Sequence, residues 1–137
     1  MYDLAIQFLG EDVYLFNDQI VYKLPEEHFC FNPHYDNQYG PNADNKIHTV
    51  NFSCALDEFE STLEIQDERG WHVFYPCKGD VIAIRGDTYH RSPIHLGTRP
   101  RGLYACVYTA EPLYKKDFYY SKFTPDLISS SYIDVTK

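Results

Sequence analysis

Short apolar runs separated by turn-forming residues dominate the chain between positions 13 and 109. The segments Val13–Phe16, Ile20–Leu24, Ile47–Leu56, Thr62–Ile65, Trp71–Tyr75, Asp80–Ile84 and Leu103–Tyr108 are bounded by Asn-Asp, Pro-Glu-Glu, Gly-Pro-Asn, Glu-Arg-Gly, Lys-Gly-Asp and Arg-Gly-Asp. Runs of this length with this punctuation predict strands. Their number and spacing match a sandwich or jelly roll, so the fold class expected is all-β. Only Tyr2–Leu9 and Pro125–Tyr132 suit short helices, both near the ends of the chain.

Alternation within the runs sorts residues into faces. Along positions 46 to 54, one face carries Thr49, Asn51 and Ser53 and the other His48, Val50, Phe52 and Cys54. A polar face on an otherwise apolar strand calls for water or a ligand. From Arg101 onward, Arg101, Leu103, Ala105 and Val107 share one side, and Gly102, Tyr104, Cys106 and Tyr108 the other. If the first set faces inward, Arg101 is a guanidinium at the mouth of a largely apolar barrel. A buried, unpaired charge is very costly, so Arg101 requires an anion. An internal carboxylate and a bound dicarboxylate both meet that need.

Composition narrows the frame. A chain of 137 residues supports one domain and one core, with the core at about 11–110 and an aromatic tail over 111–137. Aromatic residues make up 17%, with 13 Tyr and 9 Phe, which favours strands. A formal charge of −8, with no basic run longer than Lys115-Lys116, argues against a nucleic-acid partner. No apolar stretch reaches membrane-spanning length, and Met1-Tyr2-Asp3 lacks the basic start of a secretion signal. The expectation is a cytoplasmic protein with no membrane partner. Cys30, Cys54, Cys77 and Cys106 show no CxxC spacing, which predicts reduced, mostly buried thiols. Arg85-Gly86-Asp87 reads as a hairpin turn rather than an adhesion motif.

The candidate chemistry lies in three separated residues: His34-x-Asp36, a lone His90, and Arg101 eleven positions after the second histidine. Two imidazoles and one carboxylate on one face of an ion form the facial triad of non-haem Fe(II) oxygenases, which leaves positions open for a co-substrate and oxygen. On a strand, residues i and i+2 point to the same side, so His34 and Asp36 would grip one ion while Tyr35 points away. His28 reads as a solvated loop residue, and His48 and His72 as packed or surface residues. His95 is the one competitor to His90. Tyr35, Tyr39, Tyr89 and Tyr104 would either line the site or simply pack.

Leu15 to Pro25, His34-Tyr35-Asp36-Asn37-Gln38-Tyr39, Ala55-Leu56-Asp57, Gly79 to Ile84 and His90-Arg91-Ser92 to Arg99-Pro100-Arg101 together resemble the phytanoyl-CoA dioxygenase family of Fe(II)/2-oxoglutarate oxygenases. The resemblance spans about residues 13 to 109. It implies a double-stranded β-helix (a cupin-like jelly roll), with His34, Asp36 and His90 as metal ligands and catalytic centre. It also implies that Arg101 and Ser92 bind the distal carboxylate of 2-oxoglutarate, and that Lys23 stands where some members also contact this co-substrate. The implied activity is an Fe(II)-, 2-oxoglutarate- and O2-dependent dioxygenase. Such an enzyme hydroxylates or desaturates a small molecule or peptide side chain through a ferryl oxidant, releasing succinate and CO2. Related halogenases lack the carboxylate, so Asp36 favours hydroxylation or desaturation.

The chain departs from the family pattern in three places. It begins almost at the first core strand, its middle strands are joined by only Gln66-Asp67-Glu68-Arg69-Gly70, and Ser53 stands where many members have Trp. Two other classes remain: a cupin-like metal enzyme whose Arg101 holds the substrate itself, and a catalytically silent jelly roll used in binding or assembly. Without a helical brace, an apolar, tyrosine-rich outer face would need cover. Tail residues Tyr114 to Tyr132 or a second copy in a homodimer would supply it, and the homodimer is favoured.

Overall fold

The computed structural model describes residues 1–25, 30–38, 48–58 and 63–111. A helix, α1 (Tyr2–Leu9), precedes eight strands: β1 (Tyr14–Lys23), β2 (Phe31–His34), β3 (Thr49–Ala55), β4 (Leu63–Asp67), β5 (Gly70–Phe74), β6 (Val81–Arg85), β7 (His90–Ser92) and β8 (Arg101–Thr109). A single 3-10 turn, Asp36–Gln38, follows β2. The strands form two four-stranded sheets, ordered β1-β8-β3-β6 and β2-β7-β4-β5, and every pairing is antiparallel. This is the jelly roll expected from the run spacing.

Two expected strands, Val13–Phe16 and Ile20–Leu24, are one. The Asn17-Asp18 pair predicts a break, but β1 runs through it beside β8 with a register shift between Leu15 and Asn17. A bulge absorbs an extra residue without ending the ladder. After it, Gln19, Val21 and Lys23 face the space between the sheets, while Ile20 and Tyr22 face out. β2 and β7 were not among the apolar runs; they are short, and β2 contains Pro33, which an edge strand tolerates. Ile47 and Thr62, the first residues of two expected strands, lie outside the described residues, as does Pro125–Tyr132.

The core on the outer side of the first sheet consists of Ala5, Val50, Phe52, Cys106 and Tyr108. This is the second face of β3 and β8 foreseen from alternation. α1 lies over it: Ala5 is fully buried, Phe8 meets Phe52 edge-on at 5.9 Å, and Tyr2 meets Tyr108 at 6.3 Å. The expectation of an unbraced outer face is therefore met only in part: α1 covers its centre over β3 and β8, while Ile20 and Tyr22 of β1 each stay 58% exposed. The tail proposed as an alternative cover lies outside the described residues.

Two smaller expectations also change. The four thiols are free as anticipated, but only Cys106 is buried and Cys77 is exposed, because Cys77 sits in the turn that leads to β6 rather than in a strand. Arg85-Gly86-Asp87 does form a turn, closed by Thr88 N–H to Arg85 O at 2.9 Å. It is not a hairpin: β6 and β7 belong to different sheets. Among the described residues, no helix is long and apolar enough to cross a membrane.

Candidate metal centre and anion pocket

His34 ends β2 and His90 begins β7, and the two are direct cross-strand partners with ring centroids 4.4 Å apart. Each imidazole is oriented by a backbone carbonyl. His34 Nδ1 lies 2.6 Å from Asn32 O, and His90 Nδ1 lies 2.9 Å from Thr88 O. A carbonyl only accepts, so Nδ1 carries the hydrogen in both rings, and in the neutral ring Nε2 keeps the lone pair. Both Nε2 atoms face one oxygen, Asp36 Oδ1, at 3.5 and 3.7 Å. These separations exceed a good hydrogen bond. Donors about 2.1 Å from one ion stand about 3 Å apart, so each histidine–Asp36 separation would close by roughly half an ångström or more to seat a cation among the three. The ligand atoms already lie within 4.8 Å of one another, and the two-imidazole, one-carboxylate set suits iron or a similar divalent metal.

The i, i+2 argument for His34 and Asp36 needs correction. The strand ends at His34, and Asp36 opens the 3-10 turn. What swings the carboxylate toward the imidazoles is that turn, pinned by Asn37. Its N–H donates to Gly86 O at 3.0 Å, and its side-chain oxygen accepts from Thr49 Oγ at 2.8 Å. Burial opposes ionisation of Asp36, yet the contact with His34 and the positive charge that the two imidazoles can carry prevail and hold its carboxyl below the ordinary range. Burial likewise opposes the charged form of His34, but its bonds to Asp36 and Asn32 hold it above its ordinary value.

A second cluster faces the same cavity. Lys23 and Arg101 are cross-strand partners on β1 and β8, only 2% and 6% exposed. Arg101 donates to Ser92 Oγ at 3.0 Å. Lys23 Nζ donates to Ser92 Oγ at 2.9 Å, Ser92 O at 3.2 Å and Pro93 O at 2.8 Å. Burial, with Arg101 alongside and partly offset by Cys30, lowers Lys23 to about 8; burial lowers Arg101 to about 10. Both are cationic at neutral pH. All six expected residues, Lys23, His34, Asp36, His90, Ser92 and Arg101, line one cavity of about 150 Å³ between the sheets, with apolar walls that include Val21, Ile84 and Leu103. An anion with a chelating end fits such a space in charge and in shape.

The other candidates fall elsewhere. His95 is buried, with Nε2 2.6 Å from Arg99 O, and lies outside the three-residue group. His72 pairs with Asp67 on the surface, and His48 is exposed. His28 and Tyr39 lie outside the described residues. Tyr35 and Tyr89 stack on each other at 4.7 Å, Trp71 lies against Tyr89, and Arg91 covers the Trp71 ring at 4.2 Å. None of these four lines the cavity. Tyr104 bonds Asp18 instead. Asn51 and Ser53, flagged only as a polar face, do line the cavity, and Asn51 reaches Asp36.

No protein-family model and no curated protein sequence matches the chain. Solved structures do match. EvdO2 from Micromonospora carbonacea var. aurantiaca, complexed with 2-oxoglutarate, aligns with a TM-score of 0.69 at 16% identity, covering 81% of this chain and 58% of that one. EctD from S. alaskensis, with 2-oxoglutarate and 5-hydroxyectoine, aligns with a TM-score of 0.69 at 20% identity, over 79% of this chain and 48% of that one. SnoK, a non-heme alpha ketoglutarate dependent carbocyclase from nogalamycin biosynthesis, aligns with a TM-score of 0.66 at 14% identity, over 77% and 53%. The chain thus spans about half the length of each. Likeness at these identities establishes the fold.

Proposed function

We propose that this chain is an Fe(II)/2-oxoglutarate-dependent oxygenase domain of the phytanoyl-CoA dioxygenase type, hydroxylating or desaturating a small molecule or peptide side chain. The observation that carries the reading is the convergence of two clusters on one cavity: the His34–Asp36–His90 group and the Lys23–Ser92–Arg101 group. Solved structures of the same fold, two of them in complex with 2-oxoglutarate, support it.

The residues divide the work. Asn32 and Thr88 carbonyls fix the rings of His34 and His90, so that both present a lone pair without reorganisation. Asp36 adds one negative charge to that set. Arg101 offers a planar fork to the far carboxylate of the co-substrate, and the Lys23 ammonium adds charge beside it. Ser92, whose hydroxyl accepts from both cations, would hold them side by side for that carboxylate. Val21, Ile84 and Leu103 exclude water from the ligand's carbon chain. When bound, iron supplies the activation of O2 coupled to oxidation of the 2-oxo acid.

Anaerobic addition of Fe(II) and 2-oxoglutarate tests the reading. The expected result is the weak visible charge-transfer band of a chelated 2-oxo acid, abolished by His34→Ala, Asp36→Ala or His90→Ala and kept by His95→Ala. A band lost in His95→Ala but kept in His90→Ala refutes the ligand set. Metal uptake without 2-oxoglutarate indicates a cupin-like enzyme with another co-substrate, and uptake of neither indicates a silent jelly roll.

A further inference from the structure

The oxygens of Asp36 are not equivalent. Oδ1 faces both histidine Nε2 atoms, whereas Oδ2 faces the amide of Asn51, whose Nδ2 lies 3.5 Å away. The Asn51 amide is itself oriented: Ser53 Oγ donates to its Oδ1 at 3.3 Å. Reversing that amide would turn its carbonyl oxygen against a carboxylate, so the Asp36 contact selects the orientation and the Ser53 hydroxyl donates to the oxygen left on its side. Asn51 and Ser53 stand two apart on one face of β3, where successive side chains alternate. β3 is an interior strand, with Asn51 paired to Ile84 on one side and Val107 on the other. The two side chains therefore come from an interior strand of the first sheet, whereas both histidines come from the second.

We infer that Ser53 and Asn51 form a positioning relay that holds Asp36 Oδ2 away from the metal and so enforces single-oxygen ligation through Oδ1. This rests on the metal reading above and deepens it. A carboxylate gripping an ion with both oxygens takes two coordination positions, while one held at Oδ2 takes a single position and leaves the other for a chelating co-substrate. Asn51 and Ser53 line the cavity, but in this scheme they act on the metal only through Asp36. The polar face of β3, which the pattern of the chain left in want of a ligand, is assigned to this task.

Titration with Co(II) alone, followed by its visible ligand-field absorption, tests the relay without turnover. Asn51→Ala is expected to weaken Co(II) binding by about ten- to a hundredfold, the usual effect of losing a partner of a metal ligand, and to alter the shape of the absorption. Ser53→Ala removes only a hydroxyl; its expected loss is smaller and of the same kind. Because Ser53 acts through Asn51, the double variant should bind no more weakly than Asn51→Ala. Unaltered affinity and spectrum in Asn51→Ala, or additive losses in the double variant, overturn the inference while leaving the metal reading intact. Should Asn51→Ala fail to fold, Ser53→Ala decides alone: a weaker, altered complex supports the relay, and an unaltered one overturns it. If the unsubstituted protein takes up no Co(II), the metal reading falls and the relay with it.

Discussion

Lys23 and Arg101 face each other across the β1–β8 ladder with little exposure, so two like charges share one buried stretch of the sheet. Lys23, lowered to about 8 by burial and then by Arg101, sets the pH dependence. In the ligand-free protein, the folded state disfavours the ammonium. The penalty is complete below pH 8, where folded and unfolded chains both carry the proton, and it is relieved as pH rises from 8 toward the ordinary lysine value. Stability from this residue thus increases with pH, by about 1–2 kcal/mol once solvent screening is allowed for. Anion binding runs the other way, because the ammonium is the form that attracts a carboxylate. Calorimetric titration of metal-loaded protein with 2-oxoglutarate should show affinity falling between pH 7 and 9, with Lys23→Met weaker at pH 7 and flat across the range. Arg101→Lys should weaken 2-oxoglutarate by about tenfold, a loss on the scale of one charge-assisted bond, and leave metal affinity unchanged. Arg99, which is exposed, provides the control: a larger effect from Arg99→Ala than from Arg101→Ala would shift the anchor by two residues.

At the scale of elements, the turn after β2 matters most. Gly86 closes the far end of β6, and a Cβ built there would lie 2.0 Å from both Asn37 Oδ1 and Thr49 Oγ. Its φ is not in the left-handed region, so the need for glycine is one of space. Gly86→Ala is expected to displace the Asp36–Gln38 turn, cost about 1–3 kcal/mol in urea denaturation, and weaken Co(II) uptake beyond what the stability loss explains. A variant with reduced stability but ordinary Co(II) affinity would show that this contact does not position Asp36. Apolar runs foretold most strands to within two or three residues. They missed β2 and β7, which carry both histidines, because strands of four and three residues contain too few apolar positions to display a period.

Taken whole, the molecule places its candidate metal ligands on one sheet and the turn beyond it, and two of its three candidate anion-binding residues on the other. A ligand that chelates the ion and reaches Arg101 joins the two layers. Thermal unfolding should therefore rise more with Fe(II) and 2-oxoglutarate together under anaerobic conditions than the sum of the rises with each alone, since the second binds a site that the first completes. Additive shifts would mean that the two clusters do not share a ligand. On the outer face, Phe52 is 1% exposed and sits between Phe8 and Tyr108. Phe52→Ala should cost about 3–5 kcal/mol, and detachment of α1 should appear as faster hydrogen exchange in residues 2–9.

The order of residues by itself determined the all-β layering, the inward set Arg101, Leu103 and Ala105, the polar face of β3, and the grouping of His34, Asp36 and His90 that the structure brings together. These follow from strand alternation and from the few side-chain sets that can serve one chemistry, both local or combinatorial properties of the chain. Tertiary structure alone decided that β1 continues through a bulge, that Asp36 arrives on a turn held by Asn37 and Gly86, that α1 covers Val50 and Phe52, and that Asn51 meets Asp36. Each of these depends on contact between residues distant in sequence or on packing space around a particular atom. Neither quantity is encoded in the period or composition of a single segment.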